Sequence, residues 1–115
     1  MKRGKIVLTP FPFTDLSKSK IRPALIVSSS LTSSADVILA FISTVFDASN
    51  LSPTDELFLN TETDFATIGL KKSSVFRMDK IATLERSILL GEIGEVSATL
   101  QAKLDAKLKL ALELK

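Results

Sequence analysis

The sequence predicts a mainly β fold of the α+β class, a small and strongly bent β-sheet or barrel that carries one C-terminal α-helix. Up to residue 95 the apolar segments are short and are separated by prolines, glycines and Ser/Thr-rich stretches, which is typical of strands joined by turns. From Ser97 onward the apolar residues recur at helical spacing instead. A length of 115 residues favours one domain, with the barrel at about 1–95 and the helix at about 97–113.

Six apolar segments have the length and composition of β-strands. The third is the strongest signal, because its apolar run is continuous and favours burial on both faces, at a core or at a dimer interface. Pro23 opens the second segment, a position at which strands tolerate proline. Turns and polar loops are predicted at 14–20, 28–34, 50–54 and 67–70. The predicted strands cover residues 6–8, 24–27, 36–46, 56–59, 74–78 and 88–93.

The C-terminal segment has the pattern of an amphipathic helix. Ser97 suits the N-cap, and no glycine or proline follows Gly94. Leu100, Leu104 and Leu108 recur at helical spacing, which favours packing of the helix against its own barrel. Beyond Leu108 the leucines alternate with other residues, so the sequence predicts either fraying or a leucine face that binds a partner.

The composition restricts the chemistry that an enzyme of this sequence can use. It contains no cysteine, histidine, tyrosine or tryptophan, which excludes disulfides, thiolate metal sites, thiol nucleophiles and the commonest general base. We predict no metal site and no cofactor. The apolar run behind the basic first residues spans only Ile6–Leu8 before prolines follow, which is too short for a signal peptide or a membrane span. We therefore expect a cytoplasmic protein with no membrane segment.

Charged residues are unevenly distributed along the chain, although the net charge is only +2. Residues 1–30 carry six basic residues against one acidic residue, a net +5, and residues 31–70 carry six carboxylates and no base, a net −6. Residues 71–86 return to +3, with five basic and two acidic residues. This segregation favours a basic face, which suits a polyanion such as RNA. Uneven scatter in a short chain is the alternative interpretation.

Three segments resemble the MazF/PemK toxin family, in the family's own order. Residues 4–27 contain a strand, a Pro/Phe-rich turn, a polar loop and then Arg-Pro leading into an apolar strand. Residues 38–44 match a buried strand that ends in a hydroxyl residue, and residues 74–88 match a late segment with Asp-Lys-Ile followed by Arg. The matches extend over most of the first 88 residues, whereas the C-terminal helix matches in kind only.

The resemblance implies an SH3-like β-barrel with a C-terminal helix, the CcdB/MazF-like fold, assembled as a homodimer. It implies a toxin of a type II toxin–antitoxin system, a metal-independent, sequence-specific endoribonuclease that cleaves single-stranded RNA or mRNA by attack of the 2′-hydroxyl on the phosphate. It also implies a cognate acidic antitoxin, MazE-like, whose extended segment covers the RNA site. A CcdB-like toxin that targets gyrase and a non-catalytic RNA-binding descendant are the alternative functions.

The resemblance also indicates which residues act on RNA. Arg22 matches the family's catalytic arginine, and a guanidinium can bind two phosphate oxygens through parallel hydrogen bonds; a phosphate anchor or a structural ion pair is the alternative. Ser43 matches the second catalytic position, usually a threonine, and a one-residue shift of the alignment would assign that role to Thr44. Strand alternation places these two hydroxyls on opposite faces, so only one of them can serve. The predicted RNA-binding residues are Lys18, Lys20, Thr44 and Lys80.

Several charged residues outside these positions admit more than one interpretation. Lys5 stands where the family often has a carboxylate, and the first loop offers only the early Asp15 as an acid. The sequence therefore lacks the later loop carboxylate that assists proton transfer in some members. Asp79 is interpreted as an acceptor at a turn or strand end, whereas Arg77 and Arg86 either line an RNA groove or form ion pairs.

Overall fold

Six strands in the described part of the chain form one curled antiparallel sheet, a half-barrel. They are β1 (Lys5–Pro10), β2 (Ile21–Ile26), β3 (Asp36–Ser43), β4 (Asp55–Phe58), β5 (Ser74–Glu85) and β6 (Gly91–Glu95), in the sheet order β4-β5-β3-β2-β1-β6. Helix α1 (Phe65–Ile68) follows β4, and helix α2 (Ala98–Leu112) follows β6. The computed structural model describes residues 2–10, 20–29, 31 and 35–115, and within these ranges no helix is long and apolar enough to cross a membrane. The predicted mainly β class with a C-terminal helix is confirmed.

Strand β5 is longer than predicted because it pairs with two neighbours. Its first part pairs with β4 and with the end of β3, and its later part pairs with the start of β3. The register shifts between these parts, since Ala40 pairs with Ile81 whereas Phe41 pairs with Arg77. Three residues centred on Asp79 therefore form an irregular bulge. Asp79 is exposed within a strand, so the turn or strand-end position predicted for it is wrong.

Strand β2 begins at Ile21, so Pro23 lies inside the strand and does not open it, and β3 ends at Ser43 and not at residue 46. Two further differences involve helical turns. The predicted turn at 67–70 contains the end of α1, which the sequence did not predict, and Gly69 follows this helix with a φ of 80°. Strand β6 begins at Gly91 and not at residue 88, because Arg86–Ile88 forms a 3-10 turn. Both differences arise from single helical turns, which are too short to leave a periodic apolar pattern.

The central strand β3 buries apolar side chains on both faces, as its continuous apolar run predicts. On one face Ala40 and Ile42 pack in a cluster that includes side chains of both helices. On the other face Leu39 and Phe41 pack with side chains of β1 and β2. The cluster on this second face consists of Val7, Ala24, Ile26, Val37, Leu39 and Phe41.

Helix α2 packs on the first of these faces through Leu100 and Leu104, which are both buried. The Ser97 hydroxyl caps the helix by accepting a hydrogen bond from the Leu100 N–H (3.1 Å), as predicted. The predicted fraying beyond Leu108 is wrong, because the helix continues to Leu112. Leu110 and Leu112 at the end of the helix and Leu114 beyond it are exposed, and the partner-binding leucine face that was the other expectation stays a prediction.

An ion pair ties the N-terminal segment to α2. Both terminal nitrogens of the Arg3 guanidinium donate to the carboxylate of Asp105, and the Gln101 amide donates to the same carboxylate (2.9 Å). Burial disfavours the charged carboxylate, but these hydrogen bonds outweigh the burial and hold the pKa of Asp105 below its ordinary value. The interaction therefore stabilises the docked position of α2 above that pKa.

Candidate functional site

A cleft of about 180 Å³ opens where side chains of β2, β3 and β5 converge on one face of the sheet. Because β3 lies between the other two strands, β2 contributes side chains from one side and β5 from the other. The register places Ala24 and Arg77 on either side of Phe41. Arg22 lies two residues before Ala24 and therefore shares its face. The described residues that line the cleft are Arg22, Phe41, Ile42, Ser43, Arg77 and Lys80.

The floor of the cleft is part of the hydrophobic core. Phe41 is only 2% exposed and packs in the same cluster as Ala24. Closely packed core side chains occupy well-defined positions. The polar side chains of Arg22 and Ser43 therefore extend from a rigid platform, which is a requirement for a site that must hold its groups in a fixed geometry.

Ser43 ends β3 and shapes the turn that follows it. Its Oγ accepts a hydrogen bond from the N–H of Val45 (3.1 Å) and donates to the carbonyl oxygen of the same residue (2.9 Å). The side chain of Ser43 also lines the cleft and is partly exposed. A hydroxyl in this position can donate to a phosphate oxygen if it leaves its backbone acceptor.

Arg77 reaches the cleft from β5 and is held by two acceptors. Its Nη1 donates to Oδ2 of Asp55 (2.9 Å), and its Nη2 donates to the Val45 carbonyl oxygen (3.2 Å). Asp55 lies directly opposite Arg77 in the β4–β5 register, and its side chain is only 3% exposed. Asp55 is absent from the predicted site residues because it stands in an acidic segment of the sequence, and only the strand register shows its pairing.

The cleft brings together three of the predicted site residues. Arg22, Ser43 and Lys80 all line it. Thr44 lies elsewhere, since it lines a second and mostly apolar cavity of about 340 Å³ together with Pro23. The two adjacent hydroxyl residues thus face different cavities, in agreement with strand alternation. The RNA contact predicted for Thr44 stays a prediction.

The remaining candidates lie away from the cleft or outside the described residues. Lys20 is exposed directly before β2. Lys18 and Asp15 lie outside the described residues. Arg86 lines a separate cavity at the beginning of the 3-10 turn. Lys5 forms an ion pair with a carboxylate of β6 (3.4 Å), which gives it a structural role across the β1–β6 pair.

Charges of opposite sign line different cavities. The described residues around the cleft include three cations and no carboxylate. A separate cavity of about 420 Å³, beside α1 and the start of α2, is lined by Glu56, Glu62 and Asp64 with one cation, Lys103. The uneven charge distribution of the sequence thus gives two separate cavities, the basic cleft and an acidic cavity. A cleft lined by charges of one sign concentrates the field and attracts a ligand of the opposite sign.

The fold places the chain among MazF-like barrels. An endoribonuclease from a mycobacterial species, in complex with its cognate antitoxin, is 24% identical with a TM-score of 0.74, over 100% of this chain and 97% of that chain. Another endoribonuclease from a mycobacterial species is 26% identical with a TM-score of 0.72, over 99% and 92%. The MazE–MazF structure (Form-III) from Deinococcus radiodurans is 18% identical with a TM-score of 0.73, over 100% and 98%. A comparison with curated proteins gives no match.

The sequence itself matches a protein-family model. The model described as "PemK-like, MazF-like toxin of type II toxin-antitoxin system" matches residues 2–112. The chain therefore belongs to the PemK-like, MazF-like toxin family, and the resemblance found in its first 88 residues is confirmed.

Proposed function

We propose that this chain is the toxin of a type II toxin–antitoxin pair and an endoribonuclease that cleaves single-stranded RNA without a metal ion. The observation that carries the proposal is the convergence of Arg22, Ser43 and Lys80 in one basic cleft above a rigid floor. Family membership supports the same activity, because mycobacterial endoribonucleases are among the structures that share the fold.

The reaction needs orientation and charge stabilisation more than it needs a strong base. The 2′-oxygen forms a bond to phosphorus while the bond to the 5′-oxygen breaks, and the products are a 2′,3′-cyclic phosphate and a 5′-hydroxyl. The 2′-hydroxyl loses its proton to solvent, and the leaving 5′-oxygen gains one. In this proposal Arg22 stabilises the added charge on the non-bridging oxygens and donates a proton to the leaving 5′-oxygen, and the guanidine regains a proton from solvent. Because arginine stays protonated at neutral pH, it acts as a cation and donor, not as the base.

Ser43 and Lys80 have complementary roles in this proposal. The Ser43 hydroxyl donates to a phosphate oxygen and so fixes the phosphate relative to Arg22. Lys80 attracts the RNA backbone as a point charge from the β5 side of the cleft. Lys18, Lys20 and Thr44 extend the RNA contact beyond the cleft.

The purified protein, incubated with a long single-stranded RNA in excess EDTA, is expected to give discrete fragments with cyclic phosphate ends. Discrete fragments support sequence-specific cleavage, and their termini give the recognition sequence. Cleavage only after addition of a divalent ion would contradict the metal-independent part of the proposal. RNA that is bound but not cut, with a strong salt dependence of binding, would instead favour a non-catalytic RNA-binding protein, which the serine at position 43 also favours.

The proposed partner is a cognate acidic antitoxin of MazE-like type. One related endoribonuclease is solved with its cognate antitoxin, and the basic cleft of this chain suits an acidic extended segment. We expect such a segment to bind across residues 14–22 and to protect them from limited proteolysis. Equal cleavage of these residues with and without the antitoxin would contradict this mode of inhibition.

Two further parts of the proposal concern assembly and location. We propose a homodimer that acts in the cytoplasm. Sedimentation equilibrium of the free protein, followed by fractionation of cells that express it, tests both parts. A monomer at all concentrations, or recovery outside the cytoplasmic fraction, would contradict the corresponding part.

A further inference from the structure

A chain of hydrogen bonds joins a buried carboxylate to the hydroxyl at the end of β3. Asp55 accepts from Arg77 (2.9 Å), Arg77 donates to the carbonyl oxygen of Val45 (3.2 Å), and Ser43 donates to that same oxygen (2.9 Å). Ser43 and Arg77 both line the basic cleft. The Val45 carbonyl is therefore a shared acceptor between a cleft hydroxyl and a cleft guanidinium.

The buried carboxylate of Asp55 determines the position of the Arg77 guanidinium at the cleft. The Asp55 side chain is 3% exposed, and its Oδ2 also accepts from the Ser52 N–H (3.0 Å). A buried carboxylate requires a paired cation, since a charge left alone in the interior is strongly unfavourable. The planar guanidinium then directs a second nitrogen to the Val45 carbonyl, which a flexible ammonium does less well. Asp55 thus holds the guanidinium at the edge of the cleft.

The single hydroxyl proton of Ser43 limits the hydrogen bonds that this side chain can donate. A serine hydroxyl has one proton, and in this structure it is donated to the Val45 carbonyl. To bind a phosphate oxygen as a donor, the hydroxyl must rotate away from that carbonyl. The Val45 carbonyl belongs to an exposed residue, and the hydrogen bonds that it accepts from the protein hold it in position. Because Arg77 donates to the same oxygen, the carbonyl keeps a partner when Ser43 rotates.

We infer that Arg77, anchored by Asp55, is a positioning residue for the RNA cleavage reaction that acts through Ser43. It holds the Val45 carbonyl so that the Ser43 hydroxyl is available to the phosphate. This inference rests on the proposed function and adds a role that the family resemblance does not assign. It requires that Arg77 lose its effect on catalysis when the Ser43 hydroxyl is absent.

The test is a double-mutant cycle with wild type, Ser43→Ala, Arg77→Lys and the combined variant. Lysine keeps a positive charge against Asp55 but lacks the fork that joins two acceptors. With the hydroxyl present, Arg77→Lys is expected to lower kcat at least about 10-fold and to raise KM by no more than about 5-fold. In the Ser43→Ala background the same replacement is expected to change kcat less than about 2-fold. Arg86→Lys, outside the cleft, is the matched control and is expected to cleave like wild type.

Equal loss of kcat from Arg77→Lys in both backgrounds would overturn the inference, since Arg77 would then act independently of Ser43. Thermal unfolding of each variant shows whether it is folded. If Arg77→Lys does not fold, the variant that combines Asp55→Asn with Arg77→Gln takes its place. This combined variant removes both charges and leaves no unpaired buried ion.

Failure of the proposed function is distinguishable from failure of the inference. If wild type does not cleave RNA, the same four proteins are titrated with an RNA whose 2′-hydroxyls are replaced by hydrogen. Weaker binding by Arg77→Lys, about 5-fold with Ser43 present and less than about 2-fold without it, would support the positioning role. Equal weakening in both backgrounds, or none in either, would overturn it.

Discussion

Replacing Arg22 with alanine is expected to lower the rate of RNA cleavage about 10²- to 10³-fold, the range found when a donor to a transition-state oxyanion is removed. Arg22 lines the cleft beside Ser43, and the phosphate gains charge as the 2′-oxygen attacks. The backbone pairing of β2 does not depend on this side chain, so the fold should persist. Single-turnover cleavage in EDTA, with circular dichroism of both proteins, measures the two effects separately.

Two controls define the role of the guanidinium. Arg22→Lys keeps the charge but loses the parallel hydrogen bonds, so we expect a loss of about 10-fold, between wild type and Arg22→Ala. Arg86→Ala removes an arginine that lines a different cavity and is expected to leave cleavage unchanged. A wild-type rate for Arg22→Ala would contradict the proposed assignment and leave Arg22 as a phosphate anchor or a structural residue.

Expression of the same variant in cells separates the alternative functions. A ribonuclease toxin should lose its toxicity with Arg22→Ala, whereas a CcdB-like toxin that targets gyrase should keep it. A non-catalytic RNA-binding descendant should be non-toxic even as the wild type. Growth after induction, measured with the antitoxin absent, therefore assigns the chain to one of three classes.

The positions of the strands were predictable where short apolar segments are separated by prolines, glycines and polar loops, but the lengths of the strands were not. The continuous apolar run of β3 predicted burial on both faces, which the two clusters confirm. The extension of β5 was not predictable, because the residues beyond Met78 are mixed and become a strand only by pairing with the start of β3. The α2 helix likewise continues past Leu108 although three leucines at its end remain exposed.

The site was predictable only in part, and mainly through the family resemblance. Arg22 and Ser43 stand at matched positions, and the fold brings them together with Lys80 in one cleft. The Asp55–Arg77 pair was not predictable, because the two residues are separated by 21 intervening residues and meet only through the β4–β5 register. The charge segregation of the sequence anticipated a basic face but not which cations would form it.

The close approach of α1 to β6 depends on two glycines. A Cβ built on Gly94 would lie 2.0 Å from the carbonyl oxygen of Ile68, and a Cβ on Gly69 would lie 1.9 Å from the carbonyl oxygen of Ile93. Both contacts are with backbone atoms, which cannot move aside as the end of a flexible side chain can. The sequence shows both glycines only as turn or strand-end residues, because their proximity arises from the fold.

Replacing Gly94 with alanine is therefore expected to lower the free energy of unfolding by about 3 kcal/mol or more. The thermal midpoint should fall by roughly 10 °C. Either α1 or β6 must shift, and β6 is the neighbour of β1 in the sheet, so the damage reaches the core around Ile6. Urea unfolding measures the change.

Gly91→Ala is the matched control for this prediction, since within the described residues, the two chain neighbours aside, no heavy atom lies within 4 Å of a Cβ at that position. Its φ of 145° makes alanine strained there, so its cost is that of backbone conformation alone, about 1 kcal/mol. Gly94 has no positive φ, so the cost of Gly94→Ala comes from the steric contact of β6 with α1, and the two variants separate steric contact from backbone strain. If Gly94→Ala is no less stable than Gly91→Ala, the close approach is not a constraint on the fold, and α1 can move away from the sheet at little cost.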